Sequence, residues 1–229
     1  MQIRSIPVNE VKGMFEEFLS KTPEQCGTMN LTISNAIGRE IAKDRNIYYM
    51  VEGSWQEMHS RLKRQEDETP GKQNKMMVAL VVIRKNNLEQ DARDLGDMIK
   101  VLKSPKFAHM KTVVIPIGIM GYGINHQITL IKQGQKYSLL DQFGSGSYEE
   151  AKQAIVYALD DAFVPIEDIY YNKKSICDNR LDCAAFSVFL QDFALKDDNV
   201  AMYVKGLEGR NEKFCFGLNL YSKFLKTNV

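Results

Sequence analysis

The unbroken apolar run Met77-Val78-Ala79-Leu80-Val81-Val82-Ile83 constrains this chain more than any other stretch. It has the length of a strand, and no polar residue alternates within it. Both of its faces must therefore be covered by other parts of the chain. Thr112-Val113-Val114-Ile115-Pro116-Ile117-Gly118-Ile119 reads as a second strand. Its Pro116 points to an edge or a bulge, because proline brings no N–H to a ladder. Asn125 to Ile131 and Lys136 to Asp141 form a hairpin about Gln133-Gly134-Gln135, and Ile166 to Tyr171 is a further strand.

Apolar residues at helical spacing supply the covering layers. They mark helices over residues 7–20, from Leu31 to Ile47 (Ile33, Ile37, Ile41), after Ser54 (Trp55, Met58, Leu62) and before Ser104-Pro105 (Leu95, Met98, Ile99, Leu102). Ser147 and Glu150 read as a capping box for a helix facing inward through Ala151, Ile155, Val156 and Leu159. A helix opens at Asp182-Cys183 and runs to about Leu195, and a last one lies around Leu220 to Leu225. Arg61 to Lys75, charged and broken by Pro70-Gly71, reads as an exposed loop. The fold class expected is α+β: a mixed central sheet, the Cys183 helix packed on one face, and further helices over the rest. Three parts are expected within one domain: a helical segment over 1–50, a catalytic core over 51–200, and a basic and aromatic tail over 201–229 that packs on the core.

Composition works here by exclusion. A net charge of +1 over 229 residues gives no general field for nucleic acid or an anionic membrane. No apolar run reaches the roughly 18–20 residues that a membrane span needs, and the first residues lack the apolar core of a cleaved signal peptide. Cys26, Cys177, Cys183 and Cys215 show neither a C-x-x-C pair nor histidine neighbours, so neither a zinc site nor a disulfide scaffold is expected. That cysteine usage suits a reducing cytosol.

One cysteine has a place with chemical meaning. Cys183 falls in the first turn of its helix behind Asp182, where unpaired N–H groups and the helix dipole favour a thiolate. His126 starts one hairpin strand and Asp141 ends its partner, which sets the two opposite each other at one edge of the sheet. A histidine oriented by a carboxylate can take the proton of a nearby thiol. His126, Asp141 and Cys183 thus supply the three parts of a Cys–His–acid triad. His59 and His109 lie in charged or loop segments and read as solvated; Cys26 and Cys215 have no neighbouring base and read as structural.

A strand His, a strand Asp, then Asp-Cys opening a helix, in that order, resembles the Ulp-like clan of cysteine peptidases (clan CE). Within that clan the chain looks most like the YopJ-type effector acetyltransferases. The likeness is carried by Gly53-Ser54-Trp55, by Met77 to Val82 with Asn86-Asn87, by His126 with Asp141, and by Asp182-Cys183-Ala184-Ala185-Phe186-Ser187. Tyr221 to Asn228 is a weaker echo. The resemblance implies a secreted bacterial effector acting in the host cytoplasm. Cys183 would take an acetyl group from acetyl-CoA and pass it to Ser, Thr or Lys of a host protein, with no metal. It also implies inositol hexakisphosphate as an activator, although the basic segment that would bind it is shortened here. Lys205, Arg210, Lys213, Lys223 and Lys226 are its candidate phosphate contacts. The clan's oxyanion Gln position is held by Cys177, which leaves the Cys183 N–H or a residue such as Asn179 as donor. Two alternatives stay open: a Ulp-like protease or deubiquitinase acting on ubiquitin or a relative, and a non-catalytic interaction module on the same fold.

Overall fold

The computed structural model describes residues 31–44, 47–50, 60, 74–123, 125–146, 148–176, 183–196 and 199–208. In chain order these form α1 (Leu31–Asp44), β1 (Tyr48–Met50), β2 (Lys75–Val78), β3 (Val81–Arg84), α2 (Leu88–Leu102), β4 (Thr112–Met120), β5 (His126–Gln133), β6 (Lys136–Leu140), α3 (Glu149–Asp161), β7 (Ile169–Tyr171), α4 (Cys183–Lys196) and α5 (Val200–Leu207). The expected helices over 7–20, after Ser54 and around Leu220 lie outside the described residues, as does the loop expected from Arg61 to Lys75 up to residue 73.

All seven strands join one mixed sheet in the order β1-β2-β4-β5-β6-β7, with β3 also on β4. β1, β2, β3 and β4 run parallel, β4 to β6 alternate, and β7 returns parallel to β6. Alternate side chains divide the apolar residues between two cores. Met76, Val78, Val113, Ile115, Ile128 and Leu130 meet α2 and α3 on one face. Met77, Val114, Ile131 and Leu140 meet α1, α4 and α5 on the other. Each such Ile, Leu or Val, fully withdrawn from water, contributes roughly 1.5–3 kcal/mol. The architecture is α+β, with Cys183 as the first residue of a helix laid on one face of the sheet.

The apolar run is two strands and not one. β2 and β3 follow each other along the same side of β4, one beside Thr112–Val114 and the next beside Ile117–Met120, with Ala79 and Leu80 between them. The N–H of Leu80, left over at the break, goes to Asn35 Oδ1 on α1 at 2.8 Å. This break also corrects the reading of Pro116. β4 is interior to the sheet, and Pro116 falls where β4 changes neighbour from β2 to β3, so no parallel ladder bond is asked of it.

Smaller corrections have equally local causes. Ile166–Asp168 is a turn of 3-10 helix and only Ile169–Tyr171 is strand. α3 is entered through Tyr148, whose backbone is left-handed at φ 55° and which makes no side-chain cap; Ser147 lies outside the described residues. Between Leu31 and Ile47 the helix stops at Asp44, and Tyr48–Met50 adds a strand to the sheet. α5 is an element that the apolar spacing does not announce.

Candidate active site

The hairpin brings His126 and Asp141 together, although not as a directly opposed pair. Gly134 and Gln135 form the turn, and Gln133 pairs Lys136, so Thr129 stands opposite Leu140. Continued by one step, that register sets Asp141 opposite Ile128, two residues along from His126. The two side chains are therefore diagonal neighbours on one face of the sheet. His126 Nε2 lies 2.7 Å from Asp141 Oδ1. With Nε2 on the carboxylate, Nδ1 is the ring nitrogen left for the sulfur, and Cys183 is near enough to favour the charged imidazole. His126, Asp141 and Cys183 are 1%, 2% and 3% exposed, so the exchange of a proton among them is shielded from bulk water.

Cys183 is set on the sheet by the residues below it on its own helix. Cys183, Ser187 and Gln191 recur every four residues on a helix whose other residues before Asp192 are apolar, and so form one polar stripe. Ser187 Oγ accepts from Gln127 Nε2 at 2.9 Å and from Gln191 Nε2 at 3.3 Å, and shares a 2.7 Å bond with Thr129 Oγ1. Gln127 and Thr129 belong to β5, the strand that starts at His126. Nucleophile and base are thereby tied to each other through one strand–helix contact. At the Gln191 end of this stripe, Gly38 of α1 lets that helix come close: a Cβ there would lie 2.7 Å from Gln191 Oε1.

Asp141 is held on every side. Its Oδ1 also accepts the Phe143 N–H at 3.0 Å, closing a tight turn, and Lys152 Nζ forms an ion pair with Oδ2 at 2.5 Å. Asn172 grips its backbone, accepting the Asp141 N–H at 2.9 Å and donating to the Asp141 carbonyl at 2.6 Å. The side chain of Asn172 continues the parallel ladder of β6 and β7 one step beyond Leu139 and Tyr171. Gly144 closes the loop at φ 68°, against Lys173 and Lys174, where a Cβ would meet the Lys174 carbonyl carbon at 2.6 Å. The imidazole is flanked by Tyr148 (ring centroids 4.4 Å, planes 5° apart) and Phe143 (5.1 Å, 21°), which leaves it little freedom to turn.

These surroundings govern charge. Burial disfavours the imidazolium, but the hydrogen bonds to Asp141 and Cys183 and their negative charges outweigh it, raising His126 to about 9. For Asp141, burial pushes upward, and the His126 hydrogen bond and charge together with Lys152 push it further down, so it stays below the ordinary carboxylate range. An imidazole that holds the thiol's proton as imidazolium, an ionised carboxylate and the resulting thiolate at a helix start can carry nucleophilic attack on a carbonyl.

Of the other residues singled out in the sequence, the two that are described, Lys205 and His109, stand apart from this cluster. Cys177, Asn179, Arg210, Lys213, Lys223, Lys226, Cys26, His59 and Cys215 lie outside the described residues. Lys205 is exposed on α5, and His109 is exposed in the turn before β4. Lys152, Asn172, Tyr148, Phe143 and Ser187 support the site without standing among the residues that spacing singles out. Lys152 leaves a sign, a lysine one turn before Ile155 on the inward face of α3. Asn172 leaves none.

No family model and no curated protein matches this sequence. Solved structures do resemble it. The chain is similar to SUMO protease Ulp1 with its catalytic cysteine oxidised to a sulfinic acid, at 13% identity and a TM-score of 0.43, covering 88% of this chain and 93% of that one. It is similar to the central domain of the Legionella pneumophila protein Lpg1148, at 14% identity and a TM-score of 0.41, over 70% and 93% of the two chains. It is also similar to AvrA delL154 with IP6 and CoA, at 14% identity and a TM-score of 0.31, over 72% and 59%. Likeness at this level carries no functional argument; the chemistry rests on the site itself.

Proposed function

We propose that this chain is a thiol enzyme in which Cys183 is the nucleophile, His126 the proton carrier and Asp141 the group that orients and charges His126. One observation carries the reading: the buried imidazole, bonded through Nε2 to Asp141, also feels a cysteine at the first position of a helix, which helps to hold it charged. The thiol proton passes to His126 and the sulfur adds to a substrate carbonyl. Collapse of the tetrahedral adduct expels the leaving group, which takes a proton from the imidazolium, and a thioester remains on Cys183. An incoming hydroxyl or amine then attacks the thioester, gives its proton to His126 and releases the sulfur.

The finer reading rests on the sequence resemblance. Acetyl-CoA is the acyl donor, coenzyme A the leaving thiol, and Ser, Thr or Lys of a host protein the acceptor, with inositol hexakisphosphate as an activator and the host cytoplasm as the place of action. Intact-mass spectrometry tests it. The purified chain is given acetyl-CoA with inositol hexakisphosphate in one tube. A second tube receives ubiquitin or SUMO bearing a C-terminal thiol-reactive group, and Cys183→Ala runs beside both. The expected result is an acetyl adduct in the first tube that is lost in Cys183→Ala. An adduct only in the second tube replaces transfer by peptide hydrolysis. No adduct in either tube replaces the enzyme by a non-catalytic interaction module.

A further inference from the structure

Lys152 is a buried cation beneath the Asp141 carboxylate, and no step of the reaction above uses it. It comes from the first full turn of α3, where its N–H bonds the carbonyl of Tyr148, the residue stacked on His126. Its side chain is 11% exposed, its Nζ lies 2.5 Å from Asp141 Oδ2, and it also donates to the Gly144 carbonyl. Withdrawing an ammonium from water costs several kcal/mol unless an opposite charge meets it, and here that charge is Asp141. Without Lys152, a carboxylate and a thiolate against one imidazolium leave a buried net negative charge. Lys152 brings the sum to zero.

We propose that Lys152 is a positioning residue for the thiol reaction, balancing Asp141 so that the imidazolium–thiolate pair forms at neutral pH. This rests on the thiol-enzyme reading. Among the described residues, the other titratable or charged groups around the pair are His126 from β5, Cys183 from α4 and Tyr148 before α3. Lys173 and Lys174 approach Gly144 from the segment after β7 but are exposed, and Glu150 is turned to Tyr122. None of these replaces Lys152 at Asp141 Oδ2. Removing its charge makes each remaining anion harder to form and each remaining cation easier to keep, so both limbs of the pH window move upward.

The test is the pH dependence of Cys183 alkylation by iodoacetamide, read by mass on the full chain, for the parent, Lys152→Met and Lys152→Arg. The expected midpoint rises by about one unit in Lys152→Met, a roughly tenfold slower reaction below it, and returns toward the parent value in Lys152→Arg. A midpoint unchanged in a folded Lys152→Met overturns the inference. Should Lys152→Met fail to fold by circular dichroism, the double change Asp141→Asn with Lys152→Met removes both charges. Folding restored in the double variant supports charge balance, and folding still lost assigns Lys152 to packing and overturns it. A parent Cys183 that alkylates like a free thiol, near pH 8.5, removes the thiol-enzyme reading itself. A low parent midpoint indifferent to Lys152 removes only this inference.

Discussion

Asn172 shows how a residue far from the chemistry in sequence shapes it. Its amide holds both backbone groups of Asp141, and Asn172 is itself 2% exposed. In Asn172→Ala those two groups lose their partner in a place water does not reach, which is expected to cost about 1–3 kcal/mol in urea denaturation. Because Asp141 aims the imidazole, kcat of the thiol reaction should fall while KM changes little. A variant as stable and as active as the parent would remove Asn172 from this role. None of this is legible along the chain, since Tyr171-Asn172-Lys173 reads as an ordinary strand end. Cys183, His126 and Asp141 are legible, because a helix start and two hairpin ends are local features that spacing reveals.

At the scale of elements, the site is built where β5, the β6–β7 end and the starts of α3 and α4 converge. α1 lies behind them and holds the break between β2 and β3 through Asn35, whose Oδ1 accepts from both the Leu80 N–H at 2.8 Å and the Tyr49 hydroxyl at 3.2 Å. Asn35→Ala is expected to lower stability by about 1–3 kcal/mol, with the loss visible as faster amide exchange at Leu80. Exchange at Leu80 equal to that of the parent would show that something else caps the break. The run from Met77 to Ile83 could not disclose that break, because every residue in it is apolar and suits either face of a covered strand. For the same reason Pro116 misleads: its missing N–H suits a sheet edge and a change of neighbour equally well, and only the pairing of β4 with both β2 and β3 decides.

Across the whole molecule, the buried cluster couples stability to pH from two sides. His126 is raised from 6.5 to about 9, so its contribution is fully present below about pH 6.5 and is lost as pH rises through about 9. Asp141 is held below the ordinary carboxylate value, so its contribution is present above that value and is lost as pH falls through its lowered one. Urea midpoints measured from acid to pH 10 should therefore fall on both flanks, with the alkaline fall shifted to lower pH in Cys183→Ala, where one raising partner is gone. A flat alkaline side would contradict the charged imidazole. By itself, the sequence determined the strand-rich layered class, the helix that opens at Cys183 and the chain order of imidazole, carboxylate and thiol, because those depend on periodicity and on residues close along the chain. Only the tertiary structure decided the diagonal register of His126 and Asp141, the split strand, and the enclosure of Asp141 by Lys152 and Asn172. Those depend on which distant elements meet, and a buried charge finds its partner in space with no spacing in the chain to announce it.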